Sequence, residues 1–311
     1  DNIPPGPPQN LTANNSNPSP WTNNPRFSIN WINPPDSSGI ARAIYKLGQQ
    51  PTSNGDSTSS LRGIPPDTVV ISQIGGLKLH LWLKDGNNNM DFRNRDSVNL
   101  RLDTVPPSGS RASSPPYSNN LSFNVNWTRG IDGGGAGVKE WNVMRRIGNG
   151  PWEIWLTNHP DTNESYTATG EDVYLFESGA VDSAGNIEMF IRIPECTTRV
   201  DTTKPYVAAT NPADRDTGVS PTANIYITYS EAMDPLSFDT TKFTIFGQIS
   251  GPHLFTVSYN SNTYQVTLDP RVNFAYSETV LVTARRDVRD LAGNIMSAEK
   301  NWRFRTGAFI D

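Results

Sequence analysis

The sequence is poor in cysteine, in charge and in long hydrophobic runs. Cys196 is the single cysteine among 311 residues, so no disulfide can form within the chain. Charged residues make up 18% of the chain, and no lysine and arginine cluster is present that could neutralise a nucleic-acid backbone. No apolar stretch has the length of a membrane-spanning helix. We therefore expect neither nucleic-acid binding nor membrane insertion.

Catalytic motifs are also missing. The three histidines, His80, His159 and His253, are widely separated, and the chain has no His-x-x-x-His, Gly-x-Ser-x-Gly, Cys-x-x-Cys or phosphate-binding loop. These spacings are the ones that bring metal ligands or a nucleophile and its base together. We therefore expect a protein that is not an enzyme.

Turn formers and short alternating strands dominate what remains. The chain has 25 prolines and 24 glycines, a density that interrupts helices and suits many short strands. Apolar residues alternate with polar ones at Phe27, Ile29 and Trp31, and again at Phe123, Val125 and Trp127. A period of two is typical of half-buried strands, so the fold class predicted is all-β.

A β-hairpin signature recurs three times at intervals of about one immunoglobulin-sized module. The three copies are Asp85-Gly-Asn-Asn-Asn89, Asp182-Ser-Ala-Gly-Asn186 and Asp290-Leu-Ala-Gly-Asn294. After the first two copies come the joints Asp103-Thr-Val-Pro-Pro107 and Asp201-Thr-Thr-Lys-Pro205. The repeat predicts three tandem Ig-like sandwiches in an extended array: a Pro-rich lead over 1–8, then modules over 9–104, 105–203 and 204–311.

These motifs resemble known families. In the third module, Gly218-Val-Ser220 followed by Ser230-Glu-Ala-Met-Asp234 resembles the bacterial Ig-like domain first described in S-layer proteins. In the first two modules, the strand tryptophan, the glycine turn and the Asp-x-x-Gly-Asn hairpin resemble fibronectin type III and related bacterial Ig-like repeats. The resemblance implies a secreted or surface-displayed bacterial protein, and these folds host many functions.

Two sets of side chains with oxygen atoms are candidate calcium ligands. The first set is a loop with oxygen ligands at alternate positions, and its members are Asp85, Asn87, Asn89, Asp91 and Asp96. Met90 stands where such a loop needs glycine. The alternative is a hairpin turn in which Asp and Asn bond their own backbone. In the second set, Asp36 and Asp132 would bind an ion at a module joint together with Asp103 or Asp201, and turn capping is the alternative.

Three tryptophans are candidates for stacking on a glycan. Trp152 and Trp155 have opposite parity along a strand, so one of them should point outward if the strand is regular. Trp21 lies in a polar stretch and raises the same question. Packing against a sandwich edge or against the next module is the alternative for all three.

The function we expect from the sequence is structural. The chain would be an extracellular stalk, fibre or surface-layer component that associates with itself or with other surface proteins. Self-assembly would use strand addition by the segment Asp1–Thr12, which we expect to be extended and detached from the first module. The alternatives are a spacer or a glycan-binding region of a larger secreted enzyme or adhesin.

Overall fold

The computed structural model describes residues 2–309 and contains three β-sandwiches in tandem. Each sandwich consists of two sheets around its own hydrophobic core, and no described strand of one sandwich pairs with a strand of another. The all-β class and the tandem Ig-like arrangement are therefore confirmed. The predicted boundaries after residues 8, 104 and 203 fall between the strands of successive sheets and stay predictions.

Module one packs a three-stranded sheet on a five-stranded sheet, in the orders β1-β3-β6 and β2-β8-β7-β4-β5. Its strands are β1 (Gln9–Ala13), β2 (Trp21–Thr22), β3 (Arg26–Ile32), β4 (Ile40–Leu47), β5 (Ser59–Arg62), β6 (Asp67–Val70), β7 (Gly75–Asp85) and β8 (Met90–Leu102). Burial alternates along β3, and Trp31 lies in the core as predicted. The polar, turn-rich stretch Gln49–Asp67 contains β5, whose Leu61 is buried.

Module two repeats this three-on-five arrangement, in the orders β14-β11-β9 and β10-β16-β15-β12-β13. Its strands are β9 (Ala112–Ser113), β10 (Tyr117–Ser118), β11 (Ser122–Trp127), β12 (Val138–Ile147), β13 (Glu153–His159), β14 (Asn163–Thr167), β15 (Val173–Asp182) and β16 (Cys196–Val200). Tyr174 forms a tyrosine corner: its hydroxyl donates to the Gly170 carbonyl at 2.8 Å and accepts from the Thr169 N–H at 3.2 Å.

Module three consists of two four-stranded sheets, in the orders β17-β18-β22-β21 and β20-β19-β23-β24. Its strands are β17 (Val207–Asn211), β18 (Ile225–Tyr229), β19 (Phe243–Gly247), β20 (Gly251–Pro252), β21 (Phe255–Asn260), β22 (Gln265–Pro270), β23 (Thr279–Ala284) and β24 (Lys300–Arg305). A 3₁₀ turn covers Pro235–Ser237, and Asp234 caps it by accepting from the Leu236 N–H.

The N-terminal segment is not detached, so the basis for strand addition to a neighbour is wrong. β1 pairs antiparallel with β3 of its own module, and its Leu11 and Ala13 enter the core. Upstream of β1, the Pro5 carbonyl accepts from Asn94 Nδ2 at 2.8 Å. Residues 9–12 therefore already have a partner strand within the chain. Asp1 lies outside the described residues.

Two further features follow from the strands. Cys196, at the start of β16, has a free thiol whose pKa is raised by burial, and it packs against the core of module two. Over residues 2–309, no helix combines the length and apolar character needed to cross a membrane.

Candidate cation sites at the module joints

The joints between modules are short segments that pack onto the module that follows. Each joint begins with an aspartate directly after the last strand of a module and ends in a proline. Pro107 and Pro205 at the two joints are buried, and so is Pro5 in the N-terminal lead. At the first joint, Asp103 Oδ1 accepts from the Val105 N–H at 2.9 Å, which fixes the turn that leaves β8. Burial of the proline leaves the joint little freedom to bend.

Three carboxylates converge at the first joint. Asp103, Asp132 and Asp182 each place one oxygen within 4.8 Å of the other two. Asp103 comes from the joint itself, and the other two come from loops of module two. Asp103 is fully buried and Asp182 is 2% exposed. The site therefore ties the end of β8 to the near end of the next sandwich.

Backbone N–H groups hold the first three carboxylates in place. Asp103 Oδ2 accepts from the Ala136 N–H at 2.9 Å, and Asp132 accepts from the N–H groups of Gly134 and Gly137. Asp182 Oδ1 accepts from the Asn186 N–H at 2.8 Å. These bonds stabilise negative charge but leave the mutual repulsion of the carboxylates uncompensated.

The second joint is built in the same way. Asp201, Glu231 and Asp290 again each place one oxygen within 4.8 Å of the others. Asp201 belongs to the joint, whereas Glu231 follows β18 and Asp290 begins the late hairpin of module three. None of the six carboxylates at the two joints forms an ion pair with lysine or arginine among the described residues. Each joint thus gathers three acids that no lysine or arginine among the described residues pairs with.

An asparagine clamps each joint from the module that follows. Asn186 Nδ2 donates to the Asp103 backbone carbonyl at 2.9 Å and to Asp182 Oδ2 at 2.7 Å. Asn294 Nδ2 donates in the same way to the Asp201 carbonyl and to Asp290 Oδ2, both at 2.8 Å. The Gly-Asn of the repeated hairpin is therefore part of the joint as well as part of the turn.

The glycine-rich loop of module two is shaped around Asp103. A β-carbon on Gly134 would lie 1.7 Å from Asp103 Oδ1 and 2.2 Å from its Cγ, which no side-chain carbon tolerates. A β-carbon on the neighbouring Gly133 would meet nothing within 4 Å. Gly134 is therefore required by the position of the Asp103 carboxylate rather than by the turn.

These oxygen-only clusters have the chemistry of a site for a hard divalent cation. Two unit charges 4 to 5 Å apart repel by roughly 3 to 4 kcal/mol at an effective dielectric constant of about 20. A divalent ion converts that repulsion into attraction, and carboxylate oxygens are the ligands that calcium and magnesium prefer. The three carboxylates of each joint are the residues that could hold such an ion.

The predicted pairing of Asp132 with Asp103 agrees with this geometry, and the pairing of Asp36 does not. Asp36 instead caps its own turn, with its Oδ1 accepting from the Ser38 N–H at 3.0 Å. Among the described residues, neither Asp36 nor Asp85 belongs to a group of three acids. Their position in module one matches that of Asp132 and Asp182 in module two. Asp1, which sequence register makes the equivalent of Asp103, is not among the described residues.

The five residues of the proposed calcium loop do not converge. Asp85 Oδ1 accepts from the N–H groups of Asn87 at 2.9 Å and Asn89 at 2.7 Å, so the turn is complete by Asn89. β8 begins at the next residue, which places Asp91 and Asp96 about 16 Å apart along one extended strand. One ion cannot bind both, and the loop hypothesis is wrong because strand pairing takes precedence over ligand spacing.

The three candidate tryptophans are all half-buried and engaged within the chain. The Trp155 ring lies 5.1 Å from that of Tyr166 and closes the edge of the sandwich. Trp152 donates from its indole nitrogen to the Arg192 carbonyl at 3.1 Å. Trp21 lies in β2 beneath the Arg101 guanidinium, whose Cζ is 5.8 Å from its ring. The structure brings none of them together as a stacking surface, and glycan binding through them stays a prediction.

Sequence reasoning missed several residues of the joints. Glu231 follows β18 by two positions, whereas Asp132 follows β11 by five, so spacing alone hid their equivalence. The available signal for Glu231 was its place in the motif Ser230-Glu-Ala-Met-Asp234 of module three. Gly134 and the two clamping asparagines were visible only as turn residues.

At the second joint, burial and neighbouring acids shift the pKa of Glu231. Burial, and then the negative charges of Asp201 and Asp290, raise the pKa of Glu231 from 4.5 to about 7. The folded chain therefore holds this proton more tightly than the unfolded chain. The stabilisation is complete below about pH 4.5 and is lost as the pH rises toward 7.

We therefore predict that, in the presence of a chelator, module three becomes less stable as the pH rises from about 5 to about 8. Thermal unfolding of the chain at both pH values measures this, with Glu231→Gln as the reference that lacks the titrating group. The unfolding midpoint of the variant, relative to that of the wild type, should be higher at about pH 8 than at about pH 5. A constant difference would contradict the prediction.

Comparison with known proteins finds a similarity for the third module. Residues 201–306 match the family model described as bacterial Ig-like domain, so module three is similar to such domains. A search of curated protein sequences found no match to the chain. Solved structures that resemble the chain include a broadly conserved Escherichia coli adhesin, FdeC, at 12% identity and a TM-score of 0.42, covering 97% of this chain and 99% of that one.

Two further solved structures are similar in architecture. Three N-terminal domains of the bacteriophage RB49 outer capsid protein Hoc share 11% identity, cover 97% of this chain and 99% of that one, and give a TM-score of 0.39. The N-terminal part of the bacterial S-layer protein SbsC shares 13% identity over 34% of this chain, with a TM-score of 0.28. The chain spans about a quarter (24%) of that S-layer fragment. At these identities the likeness concerns the fold alone.

Proposed function

We propose that the chain is a non-enzymatic structural array of a bacterial surface or secreted protein, whose modules are locked in sequence by divalent cations at the joints. The observation that carries this proposal is that the same joint occurs twice. Each joint combines one aspartate after a closing strand, two acids from loops of the next module and one clamping asparagine.

A cation at the joint would act mechanically. The joint aspartate directly follows the last strand of one module, while the other two acids belong to the next module. An ion bound to all three would fix the direction in which one module follows another. Without the ion, repulsion among the acids favours loosening of the same contact.

Direct hydrogen bonds support the joints in addition to any ion. At the second joint, Glu171 Oε1 accepts from the Thr202 N–H at 2.8 Å and from the Thr203 hydroxyl at 2.9 Å. Glu171 belongs to module two, whereas the clamping Asn294 belongs to module three. The second joint is therefore hydrogen-bonded to both modules. The proposed result is an extended, semi-rigid array, displayed outside the cell, where calcium is available.

Small-angle X-ray scattering with calcium and then with a chelator tests the array. We expect an extended particle with fixed module positions in calcium, and a broader distribution of shapes when calcium is removed. Isothermal titration should give about two calcium sites per chain, one for each joint, with magnesium titrated in parallel to identify the preferred ion.

The double variant Asp103→Asn with Asp201→Asn should scatter in calcium as the wild type does in chelator. Asp161→Asn, an exposed acid in neither cluster, is the matched control. Identical scattering of the wild type in both solutions, together with no heat of binding, would rule out cation-locked joints. Self-association stays a prediction, and the concentration dependence of the same scattering data measures it.

A further inference from the structure

A cleft of about 340 Å³ opens between modules two and three beside the second joint. Tyr117 from module two and Tyr264 from module three both line it, and they are 37% and 39% exposed. The polar groups in its wall are Arg199, Asp201, Ser230 and Glu231. The volume lies within the range of small-molecule sites, and aromatic faces with a few convergent polar groups are their usual lining.

Tyr264 occupies a backbone position that does not suit tyrosine. Its φ is 53°, in the left-handed region that glycine and asparagine enter most readily. It stands at the end of the turn between β21 and β22, where its carbonyl accepts from the Tyr229 N–H at 2.9 Å. Its ring packs against no other aromatic ring among the described residues. A strained backbone that presents an exposed ring to a cleft points to a use for that ring.

The first joint has the same parts but is closed. Trp21 pairs in register with Arg101 there, as Tyr117 pairs with Arg199 at the second joint. At the first joint, however, the glycine loop of module two lies over the tryptophan, and a β-carbon on Gly135 would come within 3.4 Å of the Trp21 ring. In module three, the short segment after β18 leaves the corresponding space open.

The charges in the cleft select its ligand. Asp201 and Glu231 disfavour phosphates and other anions, and Arg199 disfavours any cation beyond the one proposed at the joint, so a neutral polar ligand fits the rest of the cleft best. Sugar rings present C–H groups on their faces and hydroxyl groups around their edges. Tyrosine faces suit the former, while carboxylate and guanidinium groups form charge-assisted hydrogen bonds with the latter.

We infer that the cleft between modules two and three binds a saccharide, with Tyr117 and Tyr264 stacking on sugar faces and Arg199, Asp201 and Glu231 bonding to hydroxyl groups. This site differs from the three tryptophans that the sequence nominated. It goes beyond the structural role of the joint, although it shares two acids with the second cation site.

The test uses the full chain and a microarray of cello-, xylo-, chito- and peptidoglycan-derived oligosaccharides, followed by titration calorimetry with the strongest binder. We expect the wild type to bind at least one of them. Tyr264→Asn removes the ring and suits the left-handed backbone, so it should weaken binding by about tenfold while the unfolding midpoint stays the same or rises. No binding of the wild type to any oligosaccharide on the array would overturn the inference.

Tyr276→Asn is the matched control, because Tyr276 is also exposed and lies outside the cleft. Binding should be unchanged in this variant, and equal binding by Tyr264→Asn and the wild type would overturn the inference. Tyr264 carries no carboxylate, so the response to calcium should survive in Tyr264→Asn. Failure of saccharide binding and failure of the cation-locked joint can therefore be observed separately.

Discussion

Replacing Gly134 with alanine should dislocate the first joint while leaving the second intact. The added β-carbon would overlap Asp103 Oδ1 at 1.7 Å, so either the fully buried carboxylate or the loop over Gly130–Gly137 must move. Overpacking of this kind costs roughly 1–3 kcal/mol. For a module of this size, each kcal/mol lowers the unfolding midpoint by about 4–8 °C.

The number of calcium ions bound distinguishes a displaced carboxylate from general destabilisation. Gly134→Ala should bind about one calcium per chain instead of two, and its scattering in calcium should show added freedom between modules one and two. Gly133→Ala is the control, since its β-carbon would meet nothing within 4 Å. That variant should stay within about 0.5 kcal/mol of the wild type. Equal behaviour of the two variants would show that Asp103 does not need the space at Gly134.

Replacing Glu231 with glutamine should have opposite effects with and without calcium. In chelator at about pH 8, where Glu231 is ionised, the neutral amide removes one charge from a group of three acids, so module three should unfold at a higher temperature than in the wild type. In calcium, the wild type gains stability by linkage, about 2.7 kcal/mol when the free ion is at 100 times its Kd. The variant lacks one ligand charge and should gain far less.

Thermal unfolding of both proteins, in chelator and in calcium, measures this reversal in the order of their stabilities. Glu299→Gln, an exposed acid of the same module outside the cluster, should shift little and equally in both solutions. If Glu231→Gln and the wild type respond equally to calcium, Glu231 is not a ligand. A variant less stable than the wild type even in chelator would show that Glu231 stabilises the joint as a charged group.

Local patterns predicted the architecture because they report local geometry. Alternation at Phe27, Ile29 and Trp31 marks which side of a strand is buried, whatever the strand packs against. The tyrosine corner at Tyr174 is also local, since its hydroxyl bonds to the carbonyl of Gly170 only a few residues upstream. The repeated hairpin signature also acts locally, because its Asp and Asn bond to each other within one turn at Asp182 and Asn186 and at Asp290 and Asn294.

Local patterns failed where strand pairing or packing decided the outcome. The spacing of Asp85, Asn87, Asn89, Asp91 and Asp96 suited a calcium loop, but pairing of β8 with β7 straightened its second half. Parity along β13 could not place Trp152, because β13 begins at Glu153 and leaves that residue outside the strand. Trp155 lies against the core of the sandwich.

By itself, the sequence determined an all-β chain of three modules and the places where its joints begin, because strand period and turn chemistry act over a few residues. Only the tertiary structure decided which acids meet. Asp103 and Asp182 are far apart along the chain, and they converge because the joint packs onto the loops of module two. It also decided that the cleft beside Tyr117 is open while the space beside Trp21 is filled. The length of one loop sets that difference, and a loop's path depends on the module it packs against.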